Sequence, residues 1–404
     1  MKVCAVTTWP PHRDGIALYS AELYTQTSKL VDVEVVANIP RQQKLAESWE
    51  ETAVAVSRCW KRGFRYPTRI FRVAFKTSCH VVHLQHGWLL YGGLVSALLF
   101  PVLLSLFRLS RKPCVVTMHT VIPKDAHIFA NSVVNFLSRI AVLFVSRCIL
   151  HFSDKVIVHN RLMKKILQTE YDAEEEKIAV IPHGVKKASN KPEFSEKDEQ
   201  IWILSLGFLR KGKEIECLVE AFKSFLVKCP DAKLVIVGGS HAHDKTGYPQ
   251  GVKRFIAPKL QKQVSFTGFV DEPSLEQLIW RSDIIVLQST EPYYIEASGA
   301  LAAVADYGKP VVCTKVPKFQ SELQDGEHYL AVVPSDSTEL TQALVLLMEN
   351  MEFRSHLGRN LKEKFRGRHW STVAKEHVAL YRHVLENSEG RRHIEHGEFI
   401  PNIL

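Results

Sequence analysis

A chain of 404 residues, 46% apolar and 24% charged, has the make-up of a folded globular protein of two or three domains, which excludes a disordered or disulfide-stapled chain. The net charge of +9 suits an anionic partner, but no zinc-finger spacing, ribonucleoprotein pattern or basic helix accompanies it. Nucleic acid is therefore not expected, and an anionic small substrate or membrane surface remains. The eight cysteines include no C-x-x-C pair and read as buried reduced thiols of a cytoplasmic chain.

In chain order, MKVCAVTTW opens with an apolar strand over 2–7 rather than a signal peptide. The turn-rich TWPPHRDG leads to a helix over 16–29 and a strand over 31–36, the β-loop-α-β opening of a doubly wound sheet. Gly15 stands just ahead of that helix, but no G-x-G-x-x-G is present, so a dinucleotide fingerprint is absent. VVHLQ (81–85) is a further strand. Residues 88–107 then run for twenty positions without a charge, long enough to span a bilayer. The next strand, 114–117, belongs in the same sheet as 81–85. A right-handed crossover helix keeps them together, and a spanning helix would not. That leaves a fully buried helix or one dipping into a membrane face, with Arg108, Arg111 and Lys112 suited to anionic headgroups. A second apolar helix, 133–150, reads as amphipathic packing. His119 follows the strand CVVTM at its carboxyl end, where α/β proteins bind ligands.

Strands over 154–158 and 177–181 flank a helix over 161–168, and KKASNKPEFSEKDEQ (186–200) reads as an interdomain linker. The pattern then restarts. A strand over 202–206 feeds the basic loop GFLRKGK, a helix over 215–227 and a strand over 233–237 ending in Gly238-Gly239. Strands follow at 263–267, 283–287 and 310–313, with a helix over 274–281. In IEASGALAAVADYGKPVVCT (295–314) the small residues Ala297, Ser298, Gly299 and Ala300 precede a helix over 300–307. Ser298 is its expected N-cap and Gly308 its C-terminal stop. Such a helix start offers free N–H groups and a positive dipole end to phosphate. Helices close the chain at 337–349, 352–365 and 371–387.

The expected architecture is α/β. It comprises an N-terminal Rossmann-like domain (1–187), a C-terminal one (188–370), a C-terminal helix (371–387) packing back on the first domain, and a tail (388–404). Two such halves present their strand ends to a shared central cleft.

The ordered series PPHRDGIALY, VVHLQHGWLLYGG, VVTMHTVIP, SDKVIVHN, IAVIPHGV, GFLRKGKEIECLVEAF, KLVIVGGS, VSFTGFV, SDIIVLQS and SGALAAVADYGKPVVCT resembles the retaining GT-B fold glycosyltransferases of the family-four, group 1 type, over about residues 1–387. The resemblance implies sugar transfer from a nucleotide-sugar donor, bound in the second half, to a saccharide or lipid-linked acceptor held by the first. Anomeric configuration is retained, and neither metal nor other cofactor is required. The leaving diphosphate then needs cations and backbone N–H groups. Lys213 matches the family's lysine, and Arg210 precedes it by three. Gly15 matches the family's glycine loop, and His119 its histidine near the transferred sugar. Glu296 stands where the first of two family glutamates belongs. The implied catalytic set is His119, Lys213 and Glu296. The donor set is Gly15, Arg210, Lys213, Glu291, Glu296, Ala297, Ser298, Gly299 and Ala300.

Two positions depart from the family. Phe208 takes the place of the arginine that usually follows the glycine, so that either Arg210 substitutes or Lys213 serves alone. Ala303 takes the place of the second glutamate, which usually binds ribose, and Asp306 is a nearby replacement. These losses also admit a catalytically degenerate, nucleotide-sugar-binding subunit. The expected location is cytoplasmic, and a peripheral membrane contact, where one is made, falls to 88–112 at the membrane's inner face.

Overall fold

The computed structural model describes residues 1–40, 54–192, 200–240, 246–256, 260–291 and 293–395. In chain order the first elements are β1 (Lys2–Thr7), α1 (Gly15–Thr27), β2 (Asp32–Asn38), β3 (Ala55–Trp60), α2 (Tyr66–Lys76), β4 (Val81–His86) and α3 (Leu94–Ala97). There follow α4 (Phe100–Leu109), β5 (Cys114–Met118), β6 (Thr120–Val121), α5 (Ser132–Phe152), β7 (Lys155–Val158), α6 (Arg161–Tyr171) and β8 (Ile178–Val180). The pattern resumes with β9 (Trp202–Leu206), α7 (Ile215–Phe225), β10 (Lys233–Val237), α8 (Tyr248–Phe255), β11 (Val264–Gly268), α9 (Glu272–Arg281) and β12 (Ile284–Leu287). Then come β13 (Ile295–Glu296), α10 (Gly299–Val304), β14 (Val311–Thr314), α11 (Pro317–Gln320), β15 (Leu330–Val332), α12 (Ser337–Glu349), α13 (Met351–Lys364) and α14 (Trp370–Glu395).

These elements form two compact units. Unit 1 is Met1–Pro182 with Tyr293–Ala297 and the chain from Trp370 onward; unit 2 is His183–Pro292 with Ser298–His369. The sequence boundary at 187/188 thus falls inside unit 2, where Val185 bridges His369 and its N–H donates to the Arg368 carbonyl. Residues 293–297 leave unit 2 because β13 pairs antiparallel with β6, Ile295 opposite Val121 and Glu296 opposite Thr120. The C-terminal helix extends to Glu395, beyond the expected end at 387, and the rest of the expected tail, 396–404, lies outside the described residues, as do 193–199 of the expected linker.

Unit 1 is built on a parallel sheet of order β3-β2-β1-β4-β5-β7-β8. The two-residue period sends Cys4 and Val6 of β1 to one layer and Val3 and Ala5 to the other. The first layer holds α2, α4, α5 and α6, through Ile70, Leu103, Val145 and Leu167. The second holds α1 and α14, through Leu23, Val373 and Tyr381. Unit 2 repeats the scheme in the order β11-β10-β9-β12-β14-β15. Ile203 and Leu234 face α7 and α12, whereas Leu204 and Val235 face α10 and α11. Seven of the fourteen described helices start at a side chain that accepts a backbone N–H: Asp14, Asn131, Asn160, Asp271, Ser298, Asp336 and Asn350. Each such cap is worth about 1 kcal/mol.

Several elements differ from expectation. The half-buried β3, the strongly basic α2 and the short α8 and β15 were not foreseen, although Tyr66, Ile70 and Ala74 of α2 bury one face at helical spacing. The helix expected at 300–307 is α10 followed by one 3-10 turn, ended by Gly308 in the left-handed region at φ +67°. The uncharged run 88–107 breaks into α3 and α4, and Leu103, Leu104 and Phe107 bury against the sheet. Helix α5 also departs from its expectation, because a second apolar face points outward: Phe136 is 62% and Leu137 59% exposed. It does not span a bilayer, since β5 and β7 on either side of it pair directly.

Candidate active site

In each sheet, the strand order reverses at one point, and ligands of such sheets bind beyond the strand ends there. In unit 1 that point lies between β1 and β4, in unit 2 between β9 and β12. The sequence-derived residues sort onto these two places.

In unit 2, the loop leaving β9 carries Gly207, Arg210 and Lys213. Gly207 has φ +133°, and a Cβ added there would lie 3.9 Å from Lys213 Nζ and 4.0 Å from the Ala300 Cβ. The cationic loop and the start of α10 therefore meet at one glycine. Gly238 is forced by the same crowding: at φ +129° its Cβ would sit 1.9 Å from the Gly207 carbonyl oxygen. Ser298 Oγ accepts the Leu301 N–H at 3.2 Å. Its neighbour Gly299 lies against His183, whose Nε2 would be 3.7 Å from an added Cβ. Burial lowers the His183 pKa to about 4, so this ring is neutral at pH 7. His183 was not foreseen as a site residue, although IAVIPHGV carries it.

Arg210 Nη1 donates to Glu291 Oε1 at 2.6 Å, and Thr290 N–H donates to the Gly212 carbonyl at 3.1 Å. The two loops are thereby tied together, and the Arg210 charge is shared with a carboxylate. Glu291 Oε2 is buried with no hydrogen-bond partner among the described residues. Phe208 lines the same pocket as Gly207, Lys213 and Gln288. Asp306 is committed elsewhere: its carboxylate accepts the Ala188 N–H at 2.8 Å and lies 3.6 Å from His369 and 4.0 Å from Lys362. It secures the start of unit 2 and does not replace the glutamate missing at Ala303. Ala303 itself packs against the α10 core layer.

Glu296 and Ala297, expected with this group, belong instead to unit 1. The pairing of β13 with β6 carries Glu296 to Thr120, whose hydroxyl donates to Glu296 Oε2 at 3.2 Å. Glu296 thus stands beside the residue that follows His119. Gly15 is exposed at the first position of α1, and an added Cβ would meet nothing within 4 Å. The preceding Asp14 accepts from Ala17 N–H at 2.6 Å and from Thr8 Oγ1 at 3.0 Å, and lies 3.2 Å from His12. Burial works to raise its pKa, but these donors and His12 together outweigh that and hold it below the ordinary value. One turn along α1, the Tyr19 ring meets His119 edge-on at 4.7 Å.

A buried polar chain fixes His119. Its Nε2 meets Gln85 Oε1 at 2.7 Å, and its Nδ1 meets His159 Nε2 at 3.3 Å, while His159 Nδ1 meets the Ile181 carbonyl at 3.1 Å. Gln85 Nε2 donates to Tyr24 OH at 2.7 Å, and Tyr24 and Tyr381 both reach His83 Nδ1. With carbonyl oxygens at both ends, the two imidazoles need three N–H groups, one more than a neutral pair has. Turning the Gln85 amide over lets two N–H groups satisfy the same contacts. Gln85, His159 and Tyr24 escaped the sequence reading because a strand's inward polar residues look like any other strand positions.

The arrangement offers a cation beside backbone N–H groups in unit 2, and an imidazole beside a carboxylate in unit 1. The first suits a diphosphate, and the second suits sugar hydroxyls and developing positive charge.

Two family models match in succession, Glycosyltransferase Family 4 over residues 13–188 and Glycosyl transferases group 1 over residues 186–364. Among relatives, the mannosylfructose-phosphate synthase of Agrobacterium fabrum is 27% identical over 183 residues, 44% of this chain and 39% of that protein. The D-inositol 3-phosphate glycosyltransferase of Nocardioides is 24% identical, and the match spans 57% of this chain and 54% of that protein. The alpha-monoglucosyldiacylglycerol synthase of Acholeplasma laidlawii is 22% identical over 88% of this chain and 90% of its own. In structure, HepE of Anabaena, solved in complex with UDP-glucose, superposes with a TM-score of 0.70 at 16% identity, covering 94% of this chain and 99% of that one. Sucrose-phosphate synthase of Thermosynechococcus elongatus gives 0.70 at 18%, covering 96% of this chain and 100% of that one. From its two Rossmann-like units and the family models that together run from residue 13 to 364, the chain belongs to the group 1, family-four glycosyltransferases of GT-B fold.

Proposed function

We propose that this protein transfers a hexosyl group from a nucleotide-sugar donor to a saccharide or lipid-linked acceptor with retention of anomeric configuration. The observation that carries the reading is the junction at Gly207, which gathers Lys213 and the Ser298–Ala300 helix start at the switch point of unit 2. Lys213 and the α10 amides neutralise the leaving diphosphate. Arg210, held by Glu291, supplies a second cation there. His119 hydrogen-bonds a hydroxyl of the transferred sugar and stabilises charge in the transition state, and Glu296 holds the donor sugar beside it. Gly15 leaves its helix start open to the donor. The chemistry assigned to these residues calls on no metal or other cofactor. Retention rests on family membership. The eight cysteines are all free, in keeping with a reducing cytoplasm, and a lipid-linked acceptor would bring the enzyme to that membrane's inner face.

The test is a thermal-shift panel with UDP, GDP, ADP and their sugar conjugates. A ligand at about 100 times its Kd adds roughly 2.7 kcal/mol of stability. A shift with one base, lost in Lys213→Ala, supports the donor assignment. No shift with any of them overturns the donor assignment, whereas a shift without turnover favours the degenerate-subunit reading, in which the losses at Phe208 and Ala303 have abolished transfer and left binding.

A further inference from the structure

Helix α5 is apolar on both faces. Its buried side holds Val142, Val145, Ile149 and Leu150 together with Asn135, Ser138 and Ser146, whereas Val133, Phe136, Leu137, Ile140 and Phe144 are between 49% and 65% exposed. Positions 133, 137, 140 and 144 follow the helical period, so they form one continuous outer stripe. The helix has a mean hydropathy of 1.8, yet only 39% of its apolar window is buried. A packed amphipathic helix instead carries polar residues on its outer face. The stripe continues onto α4, which packs between α2 and α5 and exposes Val102 at 46% and Leu109 at 81%. An apolar patch of this extent marks an interaction surface.

The charge around the patch says what covers it. Residues 52–153 hold thirteen Lys and Arg and one acid, Asp125, a net charge of +12 against +9 for the whole chain. The positive excess of the protein therefore comes entirely from this stretch. On α2, Arg65, Arg69, Arg72 and Lys76 recur at helical spacing and are all exposed beside the apolar helices. A second copy of this chain docked by two-fold symmetry would set this cationic layer against itself. An anionic bilayer meets both demands, headgroups for the arginines and acyl chains for the apolar stripe.

We infer that the outer face of α2, α4 and α5 in unit 1 seats the protein on an anionic membrane surface, with the α5 stripe lying in the interface. This deepens the reading of a lipid-linked acceptor by naming the surface. It also relocates the contact expected at 88–112, of which α4 forms only the margin.

The experiment is co-sedimentation of the full chain with vesicles of phosphatidylcholine alone and with about 30 mol% phosphatidylglycerol. Binding is expected only to the anionic vesicles and is expected to weaken in about 0.5 M salt, where screening is strong. Leu137→Asp with Ile140→Asp is expected to lower the partition coefficient at least ~10-fold. Arg69→Glu with Arg72→Glu, which leaves the apolar stripe intact, is expected to do the same through charge. Both pairs are exposed, so unchanged melting temperatures confirm folded variants. Failure to bind anionic vesicles overturns the proposal. So does a dimer in solution that the Leu137 and Ile140 changes dissociate, which would make the stripe a protein interface. Because the readout is vesicle binding, failure here leaves the nucleotide-shift result intact, and a failed nucleotide shift leaves this one intact.

Discussion

Replacing Gln85 by leucine isolates the support of His119 from its chemistry. Gln85 is fully buried at the end of β4 and makes two hydrogen bonds of 2.7 Å, one to His119 and one to Tyr24. Leucine fills nearly the same volume, so little cavity is created. Tyr24 keeps its bond to His83, whereas His119 keeps only His159 among these ring partners. At about 1 kcal/mol per lost bond, unit 1 should lose about 2 kcal/mol, or roughly 4–8 °C in melting temperature. Turnover should fall further, by about 100-fold, because an imidazole without the Gln85 bond is held less firmly in the reacting geometry. Affinity for the nucleoside diphosphate should be unchanged, since that group is assigned to unit 2. Gln85→Glu should restore most of the stability and move the pH profile to the alkaline side, because a carboxylate favours the imidazolium. Unfolding by circular dichroism, with turnover measured across pH, checks both. A melting loss of the expected size with undiminished turnover would refute the role given to His119. No change in either would refute the hydrogen-bond chain.

Lys213→Ala should weaken nucleoside diphosphate binding by about 1.5–3 kcal/mol, measured by calorimetry, with unit 2 still folded. Gly238→Ala should cost at least ~2 kcal/mol and abolish that binding, because the new Cβ meets the Gly207 carbonyl oxygen at 1.9 Å; a stable, ligand-competent variant would contradict the described loop. Burial lowers the pKa of His83, of His86 to about 3 and of His377 to about 4, so between these values and 6.5 the unfolded chain binds more protons. Stability should therefore decline as pH falls below about 6.5, by about 2 kcal/mol per group at pH 5, as urea titrations would show. Burial likewise lowers Lys309 to about 8, so unit 2 should gain stability as pH rises from about 8 toward 10.5, and Lys309→Met should remove that slope.

The sequence by itself determined the α/β class, the two Rossmann-like halves and the loops that leave their strand ends. Apolar strands with glycine or small residues at their carboxyl ends leave few alternatives, and the ordered motifs identify the family. It placed Lys213 in the loop after β9 and Ser298 as a helix N-cap, because cationic and N-capping residues announce themselves locally. It did not reveal that Glu296 joins Thr120, the residue after His119, since a two-residue pairing of β13 with β6 brings together positions 176 residues apart. Nor did it separate Asp306 from the site, because only the fold shows its carboxylate already taken by Ala188. Helix α5 makes the same point for a surface. Its composition is apolar on every side, and only the tertiary structure decided which side the sheet buries, turning Asn135, Ser138 and Ser146 inward and leaving the Val133–Phe144 stripe outside. Local chemistry is written in neighbouring residues, whereas partnership depends on which distant backbone arrives alongside.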